Sequence, residues 1–255
     1  MSLQNATGTI TVSIDAKIGT IEFGHPASNS FPAQLLQELT KTIDDLGHNS
    51  EVTVLVLKSQ GTAAFCAGAS FDELLAVTNE SEGESFFSGF AHLINAMRKC
   101  PKLIIGRVHG KAVGGGVGIA AACDYILASQ EASIKLSELA IGIGPFVIEP
   151  AVSRKIGKTA LAELTLTAQE WKPAAWAHEK GLYAKTFESI EKLDKALLEL
   201  AHQIASYNPE ALSAMKKVLW EGTDHWDDLL LERASISGKL VLSEATKTAL
   251  AAFKK

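Results

Sequence analysis

The chain has only three cysteines in 255 residues, Cys66, Cys100 and Cys123. They are too widely spaced for a zinc-ligand cluster or a disulfide framework, and a reducing cytoplasm suits them. Basic residues are outnumbered, 24 Lys and Arg against 29 Asp and Glu, for a net charge of −5. No basic stripe is available to neutralise phosphates, which argues against a nucleic-acid partner. No apolar run reaches membrane-spanning length, and the first six residues lack the basic-then-apolar order of a signal sequence. Solenoid-type repeats and low-complexity linkers are also missing. What is present is an ordinary globular balance, 47% hydrophobic and 21% charged residues, long enough to bury a substantial core.

The stretch Lys102 to Asp124 stands out. Leu103-Ile104-Ile105 and Val108 predict a strand, Gly114-Gly115-Gly116 follow, and the small apolar run Val117 to Cys123 predicts a buried helix. Glycines at a helix start leave backbone N–H groups uncovered beside the positive end of the helix dipole, where an anion or oxyanion can be held. A second small-residue corner, Ala67-Gly68-Ala69, opens into a helix at Phe71.

Around these corners the pattern is α/β. Strands are predicted at Thr9 to Ile14 and Gly19 to Phe23, with a turn at Asp15-Ala16-Lys17. A helix from Pro32 to Leu46 carries Leu35, Leu36, Leu39, Ile43 and Leu46 on one side, and Val52 to Leu57 reads as a buried parallel strand. Thr78 to Glu84 is polar and acidic, expected to be a mobile surface segment before a helix over Phe86 to Met97. Short strands are expected at Tyr125 to Ala128 and Ser133 to Leu136, and a helix at Pro145 to Ile156, closed by Gly157. From about Leu193 only helices follow, so the expected division is an α/β core over residues 1–192 and a helical region over 193–255. Leu229, Leu230, Ile236 and Leu240 would form an exposed apolar stripe there unless the tail is an assembly surface.

AFCAGASFDEL (residues 64–74) and GKAVGGGVGIAAACD (110–124) resemble the two signature stretches of the crotonase family, the enoyl-CoA hydratases and isomerases. The resemblance implies a spiral of repeated ββα units with a helical C-terminal region that builds trimers, commonly paired into hexamers. It implies an acyl-CoA thioester as substrate and no metal or redox cofactor, coenzyme A being part of the substrate. The oxyanion donors would be the N–H groups of Ala69 and Gly115. Ala27, Ala67, Gly68, Ala69, Phe71, Gly114 and Gly115 would line the substrate, with the His25-Pro26-Ala27 turn beside the CoA moiety. Ile134-Lys135-Leu136-Ser137-Glu138 is similar to the motif around the family's second catalytic glutamate, which makes Glu138 the catalytic candidate.

The departures from the family pattern narrow the chemistry. The position of the hydratases' first glutamate is Gly118 here, which has no side chain. Gly142 to Ile148 is closer to a stretch of the Δ3,Δ2-enoyl-CoA isomerases, which likewise lack that glutamate. Ser70 replaces the usual aspartate, and the basic tail is cut to Lys254-Lys255. Hydration is served by paired carboxylates, whereas shifting a double bond from C3 to C2 needs one base, so isomerisation is the expected reaction, with hydration of an enoyl-CoA or non-catalytic acyl-CoA binding as the alternatives. Glu138, with Leu136, Leu139 and Ile141 near it in sequence, is expected to have a raised pKa.

Glu149 is read as a solvent-facing helix residue that would matter only if it replaced the lost carboxylate. His109 is read as structural, Cys66 as a buried filler, and Trp171, Trp176, Trp220 and Trp226 as packing. Gly116 to Ala121 also fits the dinucleotide pattern GxGxxA, but His109 to Val113 separate it from its strand and Asp124 ends the helix too early.

Overall fold

A computed structural model describes residues 8–253; the Lys254-Lys255 tail lies outside them. Strands β1 (Thr9–Asp15) and β2 (Ile18–Gly24) form an antiparallel hairpin. Ala16 and Lys17 both take positive φ, 46° and 65°, the backbone that matches a two-residue hairpin turn to the strand twist. Helix α1 (Ala33–His48) then buries all five expected apolar residues and leads to β3 (Val54–Ser59), parallel to β2.

From β3 onward the chain repeats one move. It leaves the large sheet, adds a short parallel strand to a small sheet, and returns through helical structure. The first pass runs through β4 (Ala64–Cys66), α2 (Phe71–Ala76) and α3 (Glu80–Lys99) to β5 (Leu103–Val108). The second uses β6 (Lys111–Val113) and α4 (Gly115–Ala122) before β7 (Tyr125–Ser129). The third uses β8 (Ile134–Lys135), a 3-10 turn at Glu138–Ile141, α5 (Glu149–Leu166) and α6 (Ala174–Glu179) before β9 (Lys185–Phe187). The large sheet is ordered β1-β2-β3-β5-β7-β9 and the small one β4-β6-β8. This is the expected spiral of ββα units. Its effect is to stack the ends of β4, β6 and β8, which bring the two glycine-bearing corners and Glu138 to one edge.

The inner strands of the large sheet are buried on both faces, while its edge strand β1 is largely exposed. One side carries Phe23, Phe31, Phe65 and Phe90, with successive ring centroids 4.8, 5.4 and 6.5 Å apart for the pairs 23–31, 23–65 and 31–90. The other side is covered by α7 (Ile190–Ala205), whose Leu193, Leu197, Ala201 and Ala205 pack on Val54, Val56, Ile105 and Leu127. The expected boundary at residue 193 thus falls inside α7. The end of α4 is tied to α8 (Pro209–Leu219) by Asp124, which accepts from Lys216 Nζ and Trp220 Nε1, each at 2.7 Å.

Three sequence expectations are corrected. Residues 78–84 are largely ordered helix, because Asn79 caps α3 by accepting the Glu82 N–H at 3.0 Å. Asn79→Ala should cost about 1 kcal/mol, read as a lower denaturant midpoint at unchanged slope. The helix expected from Pro145 starts only at Glu149, and it closes at Gly157 as expected, where a non-helical backbone of φ 73° and ψ 164° breaks α5 into two helices. The apolar stripe of the tail is largely covered within the chain. Leu230 is fully buried and Leu229 packs on the same core, because α9 (Trp226–Leu240) lies along α3. Only glycine permits that crossing: a Cβ on Gly83 would stand 2.6 Å from the Gly238 carbonyl oxygen. Ile236 alone of the four is exposed. The last helix, α10 (Glu244–Phe253), packs through Leu250 beside Leu74 and Ile143.

Candidate active site

Two corners meet where the small sheet ends. After β4 the chain turns at Gly68, whose φ of 89° suits glycine. A Cβ there would lie 3.0 Å from the Val113 carbonyl oxygen and 3.5 Å from the Gly115 nitrogen, so the loops are in contact. Phe31 bridges this loop, donating to Gly68 O at 2.8 Å and accepting from Ser70 N at 3.0 Å. Because successive peptide groups of extended chain face opposite ways, the Ala69 N–H points away from Phe31. Ser70 supports the same turn by accepting the Glu73 N–H as the cap of α2.

The second corner is fixed by Gly114, at φ 53°, which donates to Lys135 O at 2.9 Å and accepts from Val117 and Gly118. Gly115 opens α4, so its N–H has no acceptor within the helix. Among the described residues, neither the Ala69 nor the Gly115 N–H finds a hydrogen-bond partner. Gly115 tolerates no side chain, since a Cβ would stand 2.3 Å from a Phe90 ring carbon.

Both corners line a cavity of about 140 Å3, together with Phe71, Phe86, Phe87, Phe90, Phe146 and Ile148. An apolar void of about 150 Å3 accommodates a benzene-sized molecule, so the space suits a hydrocarbon chain. Glu138 enters it from the 3-10 turn after β8 and carries the only carboxylate among the described lining residues. A Cβ on Gly114 would fall 2.8 Å from Glu138 Oε1, which places the carboxylate against the second corner. Its Oε2 is buried without a partner. Burial pushes the Glu138 pKa up to about 7, against a smaller opposing effect of its own backbone N–H.

The other candidates separate from this site. Ala67, Gly68, Ala69, Phe71, Gly114 and Gly115 line the cavity, but Ala27 does not. Ala27 lies in a turn joined to the first corner through the Ala67 N–H, which donates to Ser28 O at 3.1 Å. That turn borders a polar surface depression formed by His25, Pro26, Ser28, Asn29 and Gln60 to Ala64. Glu149 neither faces solvent nor reaches the cavity: it pairs with Lys158 and with Arg233, the latter at 3.0 Å. Burial tends to raise its pKa, but the bonds to Lys158 and Ser153 bring the net shift downward.

Gly118 is closed to any side chain, because a Cβ would stand 2.4 Å from Ile148 Cγ2. Cys66 is fully buried with its thiol pushed up to about 12 by burial, as a filler should be. His109 is buried away from the cavity with both ring nitrogens unpartnered, and burial, then the charge of Arg107, lowers its pKa to about 4. Trp220 and Trp226 pack edge-to-face at 5.8 Å. Trp171 is not core packing: it is exposed between the ammonium groups of Lys111 and Lys135, 5.0 and 5.5 Å from its ring. Among the described residues there is no cluster of three His, Cys, Asp or Glu side chains fit for a metal, and no helix long and apolar enough to cross a membrane.

Residues 13–249 match the family model described as enoyl-CoA hydratase/isomerase. The chain belongs to the enoyl-CoA hydratase/isomerase family. It is 30% identical over 242 residues to a short-chain-enoyl-CoA hydratase of Clostridium acetobutylicum, covering 94% of this chain and 92% of that one. It is also 30% identical over 206 residues to a peroxisomal Delta(3,5)-Delta(2,4)-dienoyl-CoA isomerase of Arabidopsis thaliana, covering 75% and 72%. The crystal structure of an enoyl-CoA hydratase from Bacillus halodurans superposes with a TM-score of 0.89 at 20% identity, covering 95% of this chain and 99% of that one. The fold of this family member is therefore the crotonase fold. Relatives named for hydration and for isomerisation stand at the same identity, so the choice between the reactions rests on the residues in the cavity.

Two contributors to this cavity had no distinct sequence signal. Ile148 and Ser237 look like ordinary helix-end and mid-helix residues, and both enter the lining only through folding. Phe86 and Phe90 do stand at i,i+4 spacing, a pattern that announces a shared helix face but not a cavity.

Proposed function

We propose that the chain isomerises enoyl-CoA thioesters, moving the double bond from C3 to C2 of the acyl chain. The reading rests on one observation: Glu138 is the only carboxylate lining the cavity among the described residues. The Glu138 carboxylate takes a proton from C2, and the electron pair moves onto the thioester oxygen. The resulting enolate is held by the N–H groups of Ala69 and Gly115. Protonated Glu138 then returns the proton to C4, which leaves the double bond at C2 and the base regenerated. A carboxylate poised near neutrality suits both halves of this exchange. Coenzyme A enters as part of the substrate, and the scheme uses no further cofactor.

The same observation disfavours hydration. Water addition needs a nucleophile deprotonated at one carbon while a proton reaches the other, a task suited to two carboxylates. With Gly118 blocked by Ile148 and Glu149 held by Lys158 and Arg233, no second carboxylate lines the cavity among the described residues. Purified protein supplied with a 3-enoyl-CoA and, separately, a 2-enoyl-CoA should isomerise the first and hydrate the second only slowly. Ordinary enzymic hydration with undetectable isomerisation would refute the proposal.

A further inference from the structure

Ser237 is the one hydroxyl on α9 that lines the acyl cavity, and it is out of place there. The residue is 1% exposed, and its Oγ is buried with no hydrogen-bond partner. A serine in mid-helix ordinarily satisfies itself by bonding back to the carbonyl four residues earlier. Ser237 does not, and a buried hydroxyl without a partner is costly. Its surroundings in the cavity are apolar, with Phe86, Phe87 and Phe146 among them.

Helix α3 acts as a ruler for its position. The Gly115 corner abuts Phe90, whereas Gly238, the neighbour of Ser237, abuts Gly83 and Glu84. Six residues of helix separate those levels, about 9 Å at 1.5 Å per residue. Measured along α3, the level of Ser237 thus lies about 9 Å from the Gly115 corner, and the acyl-CoA reading puts the distal part of the chain there. No lysine or arginine lines the cavity among the described residues, so nothing there neutralises a distal carboxylate. A neutral group is what a lone hydroxyl can satisfy.

We infer that Ser237 is a specificity determinant for acyl-CoA thioesters bearing a neutral hydrogen-bonding group, a hydroxyl or carbonyl, near the distal end of the chain. This rests on the acyl-CoA reading of the cavity, so its test measures binding of unreactive saturated thioesters and not turnover. Titration calorimetry with hexanoyl-CoA and ω-hydroxyhexanoyl-CoA gives a ratio of dissociation constants for the unmodified protein and for Ser237→Ala. The preference for the hydroxylated chain should fall about five- to tenfold in the variant, the range of one neutral hydrogen bond. The melting temperature of ligand-free Ser237→Ala should stay level or rise, since an unsatisfied hydroxyl is removed. An unchanged ratio, or a clear fall in melting temperature, overturns the assignment. Isomerase assays of the same unmodified protein stand apart: loss of the ratio change with intact isomerisation refutes Ser237 alone. Failure to bind either thioester refutes both.

Discussion

Glu138→Gln should lower isomerisation by about 100-fold or more, the loss expected when a positioned general base is removed. Glutamine keeps the size of the side chain and its place against Gly114, so the cavity and the two free N–H groups are left in position. The loss should therefore appear in kcat with little change in the binding of a saturated acyl-CoA. If the variant is folded, binds the thioester and isomerises at the original rate, Glu138 is not the base. The unmodified enzyme adds a pH signature. Proton removal needs the carboxylate, so kcat/KM should rise with pH and level off above about 7.

The same shift has a stability consequence of opposite sense. A carboxyl whose pKa is raised on folding binds its proton more tightly in the folded state. Its contribution is fully present below the ordinary glutamate value of 4.5 and is lost as pH rises through about 7. Glu138→Gln abolishes that dependence, so the variant should be the more stable protein at pH 8. Denaturation of both proteins across this range checks the point, and a variant less stable at every pH would contradict it. Activity and stability thus pull Glu138 in opposite directions, which is the usual relation at a site whose function needs a buried charge.

Much of this candidate site was legible because the residues that form it stand in short local signals. Gly68 and Gly114 are glycine for a reason written in the backbone, positive φ at the end of a strand, and each stands inside a stretch of distinctive small residues. Glu138 follows β8 at the point where the third pass of the spiral turns back, so its local context and its place in the repeat agree. The convergence of the corners could not be read, because nothing near Gly68 in sequence says that Gly115 will lie beside it. Contacts between locally unremarkable residues were equally hidden. Asn79 capping α3 turned an acidic, polar segment into helix, since one side-chain oxygen satisfied a first-turn N–H that composition does not reveal. The meeting of Gly83 with Gly238 folded the tail over its own core and covered Leu229 and Leu230, where periodicity alone suggested an outer surface. Glu149 looked solvent-facing because helical periodicity records which side a residue occupies, not the Lys158 and Arg233 partners that wait there.

A further expected result turns on the contact between Gly118 and Ile148. Glycine at 118 removes a carboxylate, and Ile148 fills the space that a side chain there would need: Cγ2 and Cβ lie 2.4 and 2.6 Å from an ideal Cβ. Gly118→Glu alone should therefore fold poorly, with a markedly lower melting temperature, because no rotamer of the new residue avoids a clash at its first carbon. Ile148→Ala does not relieve this, since it retains the Cβ at 2.6 Å; Ile148→Gly does, leaving only the Cα at an ordinary 3.7 Å. Residue 148 is the cap position of α5 at φ −87° and ψ −14°, where glycine is well tolerated. The double variant Gly118→Glu/Ile148→Gly puts a carboxylate where Ile148 formed the wall of the cavity that Glu138 also lines. With two carboxylates the site can deprotonate a water and deliver a proton, and hydration of a 2-enoyl-CoA should rise about 100-fold or more over the unmodified protein. Ile148→Gly alone opens the wall without adding a base and should bring no such gain. If the double variant folds and binds acyl-CoA but hydrates no faster than the parent, the vacancy at Gly118 is not what sets the reaction, and the single-carboxylate account of this enzyme fails.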